Sequence, residues 1–163
     1  MRQSSDKSIF VDPSKCTGCH ICELVCSEHH EKNYGLRKSR IRVTSIGNTI
    51  RLAMSCRLCK KAPCVASCPR DALRQHEDTG TIVVDENKCT GCKWCIGACD
   101  FGVIFFHPIQ KTPIICDLCG KDEPQCIRAC QKEAIQLITE DAFLSQIRKN
   151  AAEKLTKSIG EAK

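Results

Sequence analysis

The spacing of cysteine constrains this chain more than any other feature. All 16 Cys fall into four sets of four, with none left over. The first set is Cys16, Cys19, Cys22 and Cys26, spaced C-x2-C-x2-C-x3-C. The second is Cys56, Cys59, Cys64 and Cys68, spaced C-x2-C-x4-C-x3-C. The third, Cys89, Cys92, Cys95 and Cys99, has the first set's spacing. The fourth is Cys116, Cys119, Cys126 and Cys130, spaced C-x2-C-x6-C-x3-C. Such a density admits a disulfide scaffold, a group of zinc sites or iron–sulfur clusters. Zinc needs only two C-x2-C pairs per ion, which leaves the third Cys of each set without a role. The opening residues, MRQSSDKSIF, hold no apolar signal core and no Arg-Arg pair. A cytoplasmic location is therefore expected, where structural disulfides are rare. Three closely spaced thiolates with a fourth three residues on are the pattern that wraps a cubane cluster. The expectation is four [4Fe–4S] clusters with all sixteen Cys as iron ligands.

The sets also repeat in sequence. SIFVDPSKCTGCHICELVC (8–26) aligns with TIVVDENKCTGCKWCIGAC (81–99), sharing V-D-x-x-K-C-T-G-C. CRLCKKAPCVASCPRDAL aligns with CDLCGKDEPQCIRACQKEAI. Both of the latter place a Pro (Pro63, Pro124) near the third Cys and an Ala-aliphatic pair after the fourth. The chain reads as two tandem two-cluster modules. Gly18 and Gly91 suit the positive φ and close backbone approach of a cluster-wrapping loop. In two-cluster ferredoxins the fourth Cys ligates the other cluster. The Pro that often follows it occurs once, as Pro69, with Ser27, Asp100 and Gln131 at the other three places.

The hydrophobic fraction is 42 %, but it counts every Cys, and aromatics are only 4 %. Clusters are expected to replace much of the missing core, so that folding is coupled to metal and the apo-chain is largely unfolded. The formal charge of +6 would suit nucleic acid, yet no basic block carries interleaved aromatics. Each oxidised cluster with its thiolates carries about −2, so the basic surplus offsets cluster charge instead. No stretch is long and apolar enough for a membrane helix.

These motifs resemble the four-cluster ferredoxin-like subunits of multisubunit redox enzymes. Such subunits include the iron–sulfur subunits of the dimethyl-sulfoxide-reductase superfamily and those serving hydrogenases and carbon monoxide dehydrogenase. The matching strings are KCTGCHICELVCSEHH, CRLCKKAPCVASCP, KCTGCKWCIGACDFG and ICDLC. The resemblance covers residues 8–138. The opening C-T-G-C-x-I-C-E-L-V-C-S and S-R-I-R-V (Ser39–Val43) look most like small subunits of tungsten aldehyde oxidoreductases from anaerobic metabolism. The resemblance implies that sets pair across the chain. Cys16, Cys19 and Cys22 would share a cluster with Cys130, and Cys116, Cys119 and Cys126 with Cys26. Cys56, Cys59 and Cys64 would take Cys99, and Cys89, Cys92 and Cys95 would take Cys68. Pairing of neighbouring sets, first with second and third with fourth, is the competing arrangement.

Elsewhere, Ser39–Met54 alternates as a hairpin around Gly47-Asn48, and Ala72–Asp85 as another turning at Asp78-Thr79-Gly80. Gly102–His107 and Ala134–Ile138 read as short strands, and helix turns are expected after each fourth Cys. The fold class is thus α+β: ferredoxin-like modules with short antiparallel hairpins and a C-terminal amphipathic helix. Residues 1–138 form the cluster-binding region, with 1–55 and 100–138 as one module and 56–99 as the other. Residues 139–163 form the helix, with Thr139 as N-cap and Phe143, Ile147, Ala151 and Leu155 as one apolar stripe. That stripe packs on the protein's own body or docks a partner. Residues 27–38 (SEHHEKNYGLRK) read as a solvated polar loop, with His29 and His30 outside the ligand sets. His20 reads as exposed or tuning a nearby potential, and Trp94 as packing over a cluster.

No nucleophile–base arrangement, phosphate-binding loop or open metal position is visible, and clusters fully ligated by Cys leave no iron for substrate. No catalytic residue is expected. The expected function is single-electron relay between a larger catalytic subunit, of tungsten- or molybdenum-pterin type, and a ferredoxin or a flavin subunit linked to NAD. A hydrogenase or carbon monoxide dehydrogenase/formate subunit and a free polyferredoxin are the alternatives. End-to-end stacking of copies is compatible with clusters near both ends.

Overall fold

The computed structural model describes residues 7–47, 49–120 and 122–160, the last three by their backbone. Four two-stranded antiparallel sheets and five helices frame it. Strand β1 (Lys7–Val11) pairs with β8 (Ile135–Thr139), Lys7 opposite Thr139 and Val11 opposite Ile135. This sheet joins the segment before the first Cys set to the segment after the fourth. The other three sheets are local hairpins. Strand β2 (Arg42–Ile46) pairs with β3 (Ile50–Met54), β4 (Leu73–Gln75) with β5 (Ile82–Val84), and β6 (Phe105–Phe106) with β7 (Pro113–Ile114). The first turns at Gly47, with φ +59, and its expected partner Asn48 lies outside the described residues. The second turns through Gly80, with φ +73. The strand expected over Gly102–His107 is shortened to its last Phe pair, because Gly102 (φ +60) still belongs to the turn behind Cys99.

In the last three sets a helix stands before the fourth Cys, not after it as the sequence suggested. Helix α2 (Pro63–Ala66), α3 (Trp94–Gly97) and α4 (Gln125–Arg128) each carry the third Cys and stop short of the fourth. Each fourth Cys then opens a turn closed by a left-handed residue: Asp71 (φ 48), Gly102 (φ 60) or Glu133 (φ 49). That turn reverses the chain into the following hydrophobic segment. The aliphatic residue there is buried every time, as Leu73, Ile104 and Ile135. The first set differs. Helix α1 (Ile21–Glu31) runs on past Cys26 for another turn and ends at left-handed Lys32. The solvated loop expected over 27–38 is therefore replaced by helix to Glu31 and a short 3-10 turn at Leu36–Lys38. Ser27 is fully buried and donates its hydroxyl to the Leu24 carbonyl, which lets a polar residue stand on the inner face of α1.

The core is thin and mixed. Ile9, Ile41, Leu73, Ile82, Ile104, Ile115 and Ile135 form one cluster with Cys22, Cys26, Cys56, Cys64, Cys95, Cys116 and Cys126. Helix α5 (Glu140–Gly160) follows β8 without a loop. The Thr139 hydroxyl accepts the Ala142 N–H at 3.3 Å, as an N-cap does. The start of its apolar stripe is anchored, with Phe143 stacked on Phe10 at a ring-centroid distance of 4.3 Å; Ile147 and Leu155 are exposed. The last residues of the helix expected over 139–163, 161–163, lie outside the described residues. Among the described residues, no helix is long and apolar enough to cross a membrane.

Candidate iron–sulfur centres

The loop of the first set coils because Gly18 takes φ +69 and His20 φ +63; the third set repeats this with Gly91 at +70 and Lys93 at +68. Successive left-handed residues turn the backbone tightly enough to bring three thiols to one side. One cavity is lined by Cys16, Cys19, Cys22 and, from the far end of the chain, Cys130. A second is lined by Cys89, Cys92, Cys95 and Cys68. Cys99 lies within electrostatic reach of Cys56 and Cys64, and Cys26 within reach of Cys116, Cys119 and Cys126. These groups also neighbour one another in series. Cys22 approaches Cys126, Cys116 approaches Cys56, and Cys64 approaches Cys95. Cys19 and Cys92 are the two exposed cysteines, one in each cavity and so one at each end of the series.

The thiols fit a group that neutralises them. Burial pushes Cys22 and Cys116 up to about 12, and Cys64 and Cys95 up to about 11. Neighbouring thiols contribute to that rise, so the bare side chains hold their protons at neutral pH. Iron supplies the positive charge that such a crowd of thiolates needs. Backbone donors are already aimed at sulfur. Ala72 N–H points to Cys68 Sγ and Ala134 N–H to Cys130 Sγ, each at 3.3 Å. Cys26 receives its N–H from Arg40, also at 3.3 Å, because the extended α1 displaces the residue that would otherwise return four positions on. The buried Ser55 hydroxyl, next to Cys56 in sequence, is the only buried side-chain polar atom lacking a partner among the described residues. A hydroxyl donor suits a sulfur-rich anionic group.

Sequence reasoning missed two features of this region. Glu23 is 3 % exposed. Its carboxylate accepts the Val43 N–H at 2.6 Å and meets His20 Nδ1 at 2.8 Å, tying α1 to β2 beside Cys22. His30 stands behind Cys119: its Nε2 is 4.0 Å from the sulfur and 3.5 Å from Asp117 Oδ1. The Asp117 carboxylate can only accept, so Nε2 carries the proton that faces it. Burial, reinforced by Arg40, pushes His30 down to about 4, which keeps the ring neutral. Arg40 in turn pairs with Asp117 at 2.6 Å. The grouping of His29, His30 and Cys119 therefore has a sulfur already belonging to the fourth set. The only advance signal was the His-His pair, and a polar run gave no hint of a buried face. Trp94 departs from its expected packing: it is 63 % exposed, because four-residue α3 has no second turn to cover it.

Residues 48–140 match the model of the 4Fe–4S dicluster domain, and residues 9–28 that of the 4Fe–4S binding domain. The chain belongs to the 4Fe–4S dicluster domain family and is an iron–sulfur electron-transfer protein. It is 38 % identical over 134 residues to the aliphatic sulfonate oxidoreductase, polyferredoxin-like subunit, of Pyrococcus furiosus, covering 80 % of this chain and 77 % of that one. An iron–sulfur protein of Rhodospirillum rubrum is 31 % identical over 92 % of this chain and 91 % of its own length. The putative electron transport protein YsaA of Escherichia coli is 37 % identical, over 80 % of this chain and 88 % of its own.

Proposed function

We propose that this chain carries four [4Fe–4S] clusters and relays single electrons along them within an oxidoreductase complex. The reading rests on the crosswise grouping of the Cys sets. Cys16, Cys19, Cys22 and Cys130 would hold the first cluster, and Cys116, Cys119, Cys126 and Cys26 the second. Cys56, Cys59, Cys64 and Cys99 would hold the third, and Cys89, Cys92, Cys95 and Cys68 the fourth. Two modules then interleave, 1–55 with 100–138 around 56–99. The clusters supply reversible one-electron storage. The chain's residues order them in series, shield the middle two, and set their potentials through N–H groups on Cys26, Cys68 and Cys130. The exposed Cys19 and Cys92 mark where electrons enter and leave. A larger catalytic subunit stands at one end, and a ferredoxin or flavin subunit at the other. The Pyrococcus furiosus relative supports a subunit role by its name. A tungsten- or molybdenum-pterin partner, aldehyde as the substrate class and a cytoplasmic setting complete the proposal. Anaerobic purification with iron analysis tests the cluster count: about 16 Fe per chain is expected. Cys130→Ser is expected to perturb one cluster, seen as one altered signal in electron paramagnetic resonance. A colourless native protein, or a variant whose perturbed signal belongs to the Cys56 set, overturns the assignment.

A further inference from the structure

The two repeats place Cys19-His20-Ile21-Cys22 and Cys92-Lys93-Trp94-Cys95 in equivalent positions. Their backbones agree, with His20 at φ 63 and Lys93 at φ 68. Their surroundings do not. Ile21 begins the long α1, which packs against β2 and α4, and it is half-buried. Trp94 begins the four-residue α3 and leaves 63 % of its surface in water. Exposing so large an apolar ring brings the isolated chain nothing, whereas tryptophan is the side chain most enriched at the energetic centre of protein interfaces.

The rim around it is basic. Arg70 and Lys93 line the cavity of Cys68, Cys89, Cys92 and Cys95, and both are exposed. Lys93 is held in place, its Nζ 5.2 Å from the Phe106 ring centroid. The Lys111 carbonyl abuts Gly91 in the same loop, and the Lys111 side chain faces solvent. Lys88, next to Cys89 in sequence, pairs with Asp85 at 4.0 Å. Exposed Cys92 lines the same cavity as Arg70 and Lys93 and stands two residues before Trp94. Apolar centre, cationic rim and an exposed thiol of an end cluster thus coincide on one face.

Building on the electron-transfer reading above, we propose that this face docks an electron-carrier protein whose surface is acidic around its own redox centre. Trp94 seats in an apolar recess of the carrier, and Lys93, Arg70 and Lys111 meet its carboxylates. One electron leaves the reduced chain and reduces the oxidised carrier by one; no bond forms or breaks. The Trp94 face, and not the equivalent face at Cys19, is the carrier's.

The test uses holoprotein reduced with dithionite and freed of excess, mixed by stopped flow with an oxidised, strongly acidic two-iron ferredoxin as probe. A small uncharged quinone serves as a second acceptor. Trp94→Ala and Lys93→Glu are each expected to slow reduction of the ferredoxin about tenfold or more, and Lys93→Glu to flatten its salt dependence. Both are expected to leave quinone reduction within about twofold. Lys15→Glu/Lys132→Glu, on the Cys19 cavity, is expected to leave ferredoxin reduction within about twofold as well. The docking proposal fails if Trp94→Ala and Lys93→Glu match the native rate. It fails equally if quinone reduction slows as much as ferredoxin reduction, or if the Cys19-side variant alone is slow. The cluster reading is checked separately by iron content and visible absorption, and a native protein without clusters would sink that reading before any docking rate is read.

Discussion

Replacing Gly18 by Ala separates two costs that the structure places on one residue. The first is conformational. At φ +69 a Cβ meets its own following carbonyl, at about 1–2 kcal/mol. The second is contact with Arg51 of β3. The added carbon would overlap Arg51 Cδ and lie 2.9 Å from Arg51 Cβ and 3.1 Å from Cγ. Swinging the guanidinium aside relieves the first of these, but Cβ moves only with the strand. Overpacking of this kind costs about 1–3 kcal/mol. The sum is about 2–5 kcal/mol. Gly91, at almost the same φ, is the internal control. Its Cβ would lie 3.0 Å from the Lys111 carbonyl oxygen and 3.3 Å from Phe106 Cζ, so its tightest neighbour is backbone, and Arg51 is not among its neighbours. Arg51→Ala should therefore rescue part of the Gly18→Ala loss and none of the Gly91→Ala loss. The coupling expected between positions 18 and 51 is about 1–2 kcal/mol. Guanidinium unfolding of anaerobic holoprotein, followed by far-UV circular dichroism, reads it. With a slope of about 4 kcal/mol per molar for a chain this size, 3 kcal/mol moves the midpoint by about 0.7 M. Equal losses for Gly18→Ala with and without Arg51 would refute the contact argument and leave only the φ cost.

Two other outcomes follow from particular contacts. His30→Leu removes the N–H that faces Cys119 and is expected to lower one midpoint potential of the set while the rest stay put, with His30→Gln restoring part of it. Potentiometric titration followed by electron paramagnetic resonance reads this, and an unchanged set of potentials would remove His30 from the tuning groups. Phe143→Ala breaks the stack on Phe10 and is expected to cost about 1–3 kcal/mol. Limited proteolysis should then cut α5 from the body well before the cluster region, and equal protection of α5 in both proteins would show that its anchor lies elsewhere.

Local signals were legible in the sequence and distant ones were not. The Cys spacing, the glycines of the loops, the β2–β3 alternation and the capped tail helix each depend on residues a few positions apart. The positive φ of the loop glycines, the hairpin and the cap appear as read. Pairing of β1 with β8 left no such trace, because neither strand is next to the turn that would announce a hairpin. The extension of α1 was hidden by composition. Ser27, His29 and His30 look like a loop, and only contact with α4 and the Leu24 carbonyl gives them a buried face. Trp94 misled in the opposite direction, since an aromatic beside two Cys suggests packing when the helix beneath it is too short to provide any.

The β1–β8 sheet has a consequence for the order in which this protein is made. The thiols beside Cys16, Cys19 and Cys22 include one from Cys130, which leaves the ribosome more than a hundred positions later. In the proposed wiring the inner pair of sets, by contrast, is complete once Cys99 has emerged. Iron delivered during translation would therefore find the middle of the chain ready first. The two outer sets would wait, open and oxidisable, until the final strand zips onto the first. A stalled or prematurely ended chain is then a half-charged one, with the first two links of its proposed wire missing.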